Sequence, residues 1–223
     1  MIEPRPTGVA ARLGASLLAL SATSAGATKS LDFDQVFNDR AEPTQSHYAA
    51  TYRLGAAEHR VEVWRDRKLR VKRRTDDALE TLVARRAGEL EWSMTVLDLR
   101  RRLRTDIART NLYRIGHFTD WFSLAHSLAR PVGPYTLSAL PRGDVPRATP
   151  VAACRWFALT QGERTSKICW SVQQRVALVI TDDTGVEQWR VTSIDARPLP
   201  ESAFVFDDRG FVRNDANQDI QAD

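Results

Sequence analysis

Cysteine, long apolar runs and repeated segments are scarce or missing in this chain. The 223 residues include two cysteines, and no cysteine directly follows Ala27 to accept a lipid anchor. No internal stretch approaches the roughly 20 apolar residues that a membrane-spanning helix needs. The sequence contains neither an internal repeat nor a low-complexity tract. We therefore expect an ordinary globular domain without an anchor.

Signatures of catalysis are also missing. No Gly-x-Ser-x-Gly motif accompanies His47 and His59, which flank the first predicted hairpin and could approach each other. His117 and His126 fall on one predicted helix but about 180° out of phase, so they cannot share a metal ion without outside ligands. We predict no catalytic residue, no cofactor and no metal centre. A hydrolase that uses His117 or His126 is the least favoured alternative.

The N-terminal segment predicts a cleavable export signal. Residues 1–12 are weakly basic, residues 13–20 form a short apolar stretch, and residues 25–27 offer small side chains for cleavage. The alternative, an apolar helix of a cytosolic protein, is disfavoured because residues 21–27 are too small and polar for a helix face. We expect a periplasmic chain that begins near Thr28 and has no transmembrane segment.

The two cysteines lie symmetrically about a Gln161-Gly162 turn. If residues 160 and 163 flank a two-residue hairpin loop, Cys154 and Cys169 face each other across adjacent strands. An oxidising compartment allows such a pair to form a disulfide. Closing a loop of about 15 residues stabilises a fold by roughly 3 kcal/mol. We predict both the disulfide and this register.

Short alternating segments predict a mainly β, α+β fold with antiparallel strands. The predicted strands cover approximately residues 47–55, 59–66, 69–75, 79–85, 90–98, 99–105, 151–160, 164–172, 175–181 and 186–195. Apolar spacing predicts a short N-terminal helix within residues 31–42 and a central covering helix over 117–129. About nine to eleven strands favour a strongly curved sheet or a half-open barrel. Residues 131–150 are expected to form a loop.

Residues 28–208 are predicted to form one domain, followed by an acidic tail over 209–223. Oxygen-bearing side chains in this tail occupy alternating positions of a calcium-loop pattern: Asp215, Asn217, Asp219 and Asp223. Because Ile220 stands where the turn glycine should be, calcium is a weak candidate. A solvated tail, or a docking tail for a basic partner, is preferred.

Positive charge is concentrated in one predicted hairpin, which carries Arg65, Arg67, Lys68, Arg70, Lys72, Arg73 and Arg74. Such a face can meet anionic lipid headgroups, an acidic protein or water. Arg70, Lys72 and Arg74 are the candidate contacts for an acidic envelope protein. No nucleic-acid partner is expected, because no nucleic-acid-binding motif accompanies the charge.

Six tryptophans and eight phenylalanines are spread over strands and helix. The residues predicted to line an apolar cleft are Trp64, Trp92, Phe118, Trp121, Phe122, Trp156, Trp170 and Trp189. A completely filled core is the alternative interpretation of the same aromatic residues.

The order of elements over residues 31–207 resembles the LolA/LolB-like fold of periplasmic lipoprotein carriers. The most similar segments are TYRLGAAEHRVEVWRD, LEWSMTVLDL and CRWFALTQGERTSKICWS. This resemblance implies an unclosed barrel, capped by helices, whose apolar interior receives acyl chains without chemistry. We therefore predict a non-enzymatic carrier for an acyl chain, a lipid or a lipidated protein. The alternative is an envelope scaffold or sensor module with a filled core that uses the basic hairpin.

Overall fold

The computed structural model describes residues 30–108 and 120–216. They form one twelve-stranded sheet with two short α-helices. The helices are α1 (Phe33–Val36) and α2 (Trp121–His126). The strands are β1 (Gln45–Leu54), β2 (Ala57–Asp66), β3 (Arg70–Thr75), β4 (Leu79–Arg85), β5 (Trp92–Asp98), β6 (Leu103–Ala108), β7 (Thr136–Ala139), β8 (Arg155–Gln161), β9 (Arg164–Ser171), β10 (Val176–Thr181), β11 (Glu187–Asp195) and β12 (Val212–Asp215).

The sheet consists of two meanders joined at β1. Its order is β12-β6-β5-β4-β3-β2-β1-β11-β10-β9-β8-β7. Neighbouring strands run antiparallel except β12, which pairs parallel with β6. Over the described residues the sheet does not close, so β7 and β12 are its edges. The mainly β, antiparallel prediction is confirmed, and the twelve strands exceed the nine to eleven expected.

The strand register divides the side chains between two faces, because residues directly opposite each other on neighbouring strands share a face. Tyr52 pairs with both His59 and Trp189, and Trp189 in turn pairs with Ile180. We call this side, which also carries Tyr48, the inner face. His47 pairs with Trp64 on the opposite side, the outer face.

The two α-helices supply side chains to the core of the inner face. Phe37, directly after α1, is fully buried and lies 5.3 Å from the ring of Trp170, centroid to centroid. Leu124 and Ala125 of α2 join the buried cluster that contains Tyr48. Asp120 begins α2 by accepting a hydrogen bond from the Phe122 amide. Side chains of both helices therefore pack against buried residues of the inner face.

Two chain segments lie on the outer face. The first precedes β8, where Cys154 bonds to the buried Cys169 and Arg190 donates to the Thr149 carbonyl oxygen at 2.9 Å. The second, which we call the C-terminal strap, covers residues 199–208. It runs across the strands from Gln45, whose side-chain oxygen accepts from the Leu199 amide, to Arg104, which pairs with Asp208 at 2.6 Å.

The disulfide is confirmed, whereas its predicted register is wrong. Cys169 pairs with Trp156 across β8 and β9, and Gln161 pairs with Arg164, so the two-residue turn is Gly162-Glu163. Gly162 has a positive φ of 56° there, a conformation that glycine adopts without strain. Cys154 lies just before β8, and its Cα is 5.4 Å from that of Cys169.

The short N-terminal helix predicted within residues 31–42 is confirmed and has 4 residues. The second helix and two further segments differ from prediction. The covering helix was predicted over 117–129, of which 117–119 lie outside the described residues. It ends at His126, because Ser127 adopts the left-handed conformation and caps it. Residues 131–150, predicted as loop, contain β7, and the predicted tail contains β12.

The disulfide is expected to stabilise the fold measurably. Replacing both residues, Cys154→Ala with Cys169→Ala, should lower the free energy of unfolding by about 3 kcal/mol, because the unfolded chain regains its loop entropy. Urea unfolding followed by tryptophan fluorescence measures this difference. Chemically reduced wild-type protein is the control and should match the double variant; equal stability of oxidised and reduced protein would contradict the prediction.

The C-terminal strap should contribute stability through Phe204. This ring is 5% exposed and lies 4.3 Å from the Arg70 guanidinium carbon, whereas the adjacent Val205 is 63% exposed. Phe204→Ala should cost about 3 kcal/mol, since it leaves a cavity under the strap. Val205→Ala is the matched control and should change the unfolding free energy by less than about 0.5 kcal/mol. Similar losses in both variants would show that the strap is only loosely packed.

Candidate functional site

The aromatic residues predicted to line a cleft divide between the two faces of the sheet. Five belong to the inner side: Trp92, Trp170 and Trp189 on strands, and Trp121 and Phe122 on α2. The outer face holds two, since Trp64 stacks on His47 with ring centroids 4.8 Å apart and Trp156 pairs with Cys169. Phe118 lies outside the described residues. The structure therefore brings five of the eight to one side.

The inner-face aromatics form part of a packed layer. Trp170 is completely buried and has Phe37 and Phe122 as ring neighbours. Trp92 packs edge to face on Trp121, with centroids 6.2 Å apart. Trp189 donates its indole N–H to the Ala177 carbonyl oxygen at 2.8 Å. These side chains fill the volume between the sheet and the helices.

The apolar layer continues beyond this packed region onto β4, β5 and β6. Val83 and Met94 are buried there. Four further apolar side chains on the same face are only partly buried or exposed, and we call them the inner-face strip: Leu79, Val96, Leu103 and Ile107. Leu79 is 43% exposed. The strip offers an apolar surface that extends the core to the side of the sheet.

The basic hairpin is neutralised largely within the molecule. Arg70 binds Asp66 and also pairs with Glu201 of the strap at 2.6 Å. Lys72 is 3.3 Å from Glu80 and donates to the Val205 carbonyl oxygen at 3.0 Å. The hydrogen bond that Arg70 donates to Glu201 is the main cause that raises the pKa of Arg70. The surface predicted to meet an acidic partner is thus engaged by the chain itself.

Arg74 completes the predicted basic face at the opposite end of β3. Its Nε lies 3.0 Å from Asp77 and 3.8 Å from Glu80. Both carboxylates belong to the turn and strand that follow, so this pairing is local. Arg70, Lys72 and Arg74 share the outer face because they alternate along β3.

One cation of the hairpin points into the protein. Arg65 alternates with Val63 on the inner face and is 5% exposed. Its guanidinium donates to the Ser46 hydroxyl at 2.8 Å and to the Gln174 carbonyl oxygen at 2.8 Å, and it lies 3.4 Å from Glu42. Burial lowers the pKa of Arg65, but arginine remains charged in proteins. Its partners therefore belong to three separate parts of the chain.

His126 completes this buried polar cluster. Its Nδ1 is 2.5 Å from the Arg175 carbonyl oxygen and 2.9 Å from Arg65 Nη1. We assign the proton to Nδ1, because at 2.5 Å two lone pairs would repel each other. Burial, reinforced by the Arg65 charge, lowers the pKa of His126 to about 3. The imidazole is consequently neutral at physiological pH.

Asp39, Glu42 and His126 form a group whose ligand atoms all lie within 4.8 Å of one another. Such a set resembles a metal site, but cations of the protein already occupy its carboxylates. Lys68 Nζ is 2.9 Å from Asp39 and 3.8 Å from Glu42, and Arg65 adds a second cation. A divalent ion would have to displace these charges, so the geometry favours a structural ion-pair cluster.

The remaining candidate residues do not assemble into a site in the described structure. His47 and His59 lie on opposite faces of the sheet, where His47 stacks on Trp64 and His59 Nδ1 is 2.5 Å from Asp76. Asp215 is exposed in β12. Asn217, Asp219 and Asp223 of the calcium pattern lie outside the described residues, as do His117 and the predicted export signal.

Comparisons with known proteins give no family. The chain matches no protein-family model, and no curated protein matches it significantly. Across residues 30–108 and 120–216, neither α-helix is long and apolar enough to cross a membrane.

The buried imidazole should make stability depend on pH. The pKa of His126 is about 3 in the folded protein, whereas a histidine that is not buried has a pKa of 6.5. The unfolded chain therefore binds a proton that the folded protein excludes. The stability that the neutral, buried imidazole contributes is fully present above pH 6.5 and is lost as the pH falls toward 3. Between pH 7.5 and 5, wild type should lose about 2 kcal/mol more than His126→Gln.

Urea unfolding at the two pH values measures this difference, and His126→Gln serves as the reference because glutamine does not titrate. Both proteins contain the same neighbouring titratable groups, namely Glu42, Asp39, Lys68 and Arg65. Equal losses of stability in the two proteins would show that His126 binds its proton in the same pH range in the folded and the unfolded chain.

Proposed function

We propose that this chain is a non-enzymatic, periplasmic binding or carrier protein that holds an acyl chain, a lipid or a lipidated protein. The ligand lies on the inner face of a sheet that curves into a half-open barrel, with α2 as part of its cover. Export by the N-terminal signal belongs to the same proposal. The architectural likeness to LolA/LolB-like carriers is also part of this proposal.

The observation that carries the proposal is the inner-face strip. Leu79, Val96 and Ile107 remain at least partly accessible directly beside the buried Val83 and Met94. Ligand sites for apolar molecules are lined mainly by hydrophobic side chains that continue from a rigid layer. A row of strands with fixed register supplies that rigidity. The strip thus supports a chain-like apolar ligand better than a compact polar one.

The alternative, a scaffold or sensor module that works through the basic hairpin, is less well supported. Arg70 and Lys72 are bound by the C-terminal strap and by carboxylates of the sheet. An acidic partner would have to compete with these internal contacts. Exposed ion pairs contribute little individually, about 0–1 kcal/mol each, so this competition is weak for each pair but cumulative.

The carrier proposal is tested with the fluorescent methyl ester of cis-parinaric acid, which reports binding in an apolar site. Val96→Gln should weaken binding about tenfold, because a polar amide replaces part of the apolar lining. Val132→Gln is the matched control, since Val132 is 91% exposed and distant in sequence from the strip. Its affinity should equal that of wild type.

Absence of any binding by wild-type protein would contradict the carrier proposal. Binding that Val96→Gln leaves unchanged would place the ligand elsewhere. Native mass spectrometry of protein purified from the cell envelope provides an independent readout, in which a retained acyl-bearing molecule is expected.

A further inference from the structure

Arg85 is an inner-face arginine that has no carboxylate partner among the described residues. It follows Val83 by two positions on β4 and pairs directly with Trp92 of β5, so its side chain belongs to the inner face. Its Nε donates to the Lys68 carbonyl oxygen at 2.5 Å. Within the described parts of the chain, its two Nη groups have no hydrogen-bond acceptor, and no carboxylate lies within ion-pair distance.

The surroundings of Arg85 are partly dry. Its guanidinium carbon lies 4.3 Å from the ring centroid of Trp121, and Trp92 packs on that same ring. Burial is the main cause that lowers the pKa of Arg85, and the more distant Asp39 and Glu42 only partly oppose it. A guanidinium that is desolvated without a paired anion costs free energy, which an anionic ligand would recover.

Open space lies next to this cation. Arg85 lines a cavity of about 350 Å³ together with Phe37 and Trp121, and a second cavity of about 470 Å³ together with Trp92 and Ala84. An anion could reach the free edge of the guanidinium from either side. Arg40 lines the first cavity as well and adds a second positive charge.

Four of the carboxylates that line these cavities have their own cations. Arg130 binds both Asp34 and Asp120, at 2.9 and 2.7 Å, and Lys68 binds Asp39 at 2.9 Å. In the second cavity, Glu89 lies 3.8 Å from Arg86. Because these carboxylates are paired with other cations, Arg85 is available to bind an anion.

Arg85 also stands at one end of the inner-face strip. Successive rows of inner-face side chains follow it along β4 to β6: first Val83, Met94 and Ile107, then Thr81, Val96 and Thr105, then Leu79, Asp98 and Leu103. Two residues separate one row from the next, about 6.6 Å, so the three rows extend roughly 20 Å from Arg85. This length suits an extended acyl chain.

We propose that Arg85 binds the headgroup of the ligand, and that this headgroup is an anionic carboxylate or phosphate whose acyl chain lies along the inner-face strip. The inference rests on the proposed carrier function and specifies its ligand class. The planar guanidinium presents two N–H groups on its free edge, which match two oxygens of a carboxylate or phosphate.

The experiment compares cis-parinaric acid with its methyl ester, two probes with the same chain and different head charge. Wild type should bind the acid about tenfold more tightly than the ester. Arg85→Gln should abolish this preference and leave the affinity for the ester unchanged. Arg85→Lys should restore part of the preference, because an ammonium keeps the charge but not the two-pronged geometry.

Two matched variants control for net charge. Arg53→Gln removes an exposed arginine near the end of β1 that lines neither cavity, and it should keep the full preference. Arg73→Gln removes another inward arginine, located beside Thr81, and should also keep it. Loss of the preference in Arg73→Gln but not in Arg85→Gln would overturn the assignment of Arg85.

The outcomes separate this inference from the carrier proposal. Equal binding of acid and ester by wild type would refute the headgroup site and leave the carrier function standing. Binding of neither probe would refute both. Thermal unfolding of each variant verifies folding, and displacement of the acid by oleate or by oleoyl lysophosphatidate then distinguishes a carboxylate from a phosphate ligand.

Discussion

The organisation of this fold depends on one buried, permanently charged group, the guanidinium of Arg65. Its hydrogen bonds reach the start of β1, the turn between β9 and β10, and the segment between α1 and β1. Because a desolvated charge without partners is strongly destabilising, these elements must meet at one position. His126 belongs to the same cluster, so the cluster also fixes α2 against the inner face. Leu124 and Ala125 reach the core from there.

The two faces of the sheet are covered by different means, and this difference determines where a ligand fits. Chain segments from after β7 and after β11 lie on the outer face, one held by a disulfide and the other by ion pairs and hydrogen bonds. The inner face is packed by side chains from α1 and α2 over β1 and β7 to β11. Among the described residues, the inner side of β4 to β6 combines an apolar surface with partial accessibility, and Arg85 lies at its end.

Much of the strand pattern could be predicted from the sequence, because alternation of apolar and polar residues is a local property. The same alternation along β2 groups Arg65 with Val61 and Val63, and Trp64 with Glu62. The sequence therefore predicts which face of the sheet carries Arg65 and which carries Trp64. The partners of Arg70 and Lys72 could not be predicted in this way, because Glu201 and Val205 are distant in sequence. β7 and β12 were missed because four-residue strands are too short to show a period. The hairpin register depended on which two residues occupy the turn.

The connectivity of the sheet also has a kinetic consequence. The central pairing joins β1 to β11, and β6 pairs with β12, a strand that follows it by about 100 residues. A chain that emerges N-terminus first therefore holds two unsatisfied strand edges until β11 and β12 are available. Long-range pairing of this kind slows folding, and open edges invite self-association. A newly emerged chain of this topology therefore remains prone to edge-to-edge pairing with other copies until both late strands have docked.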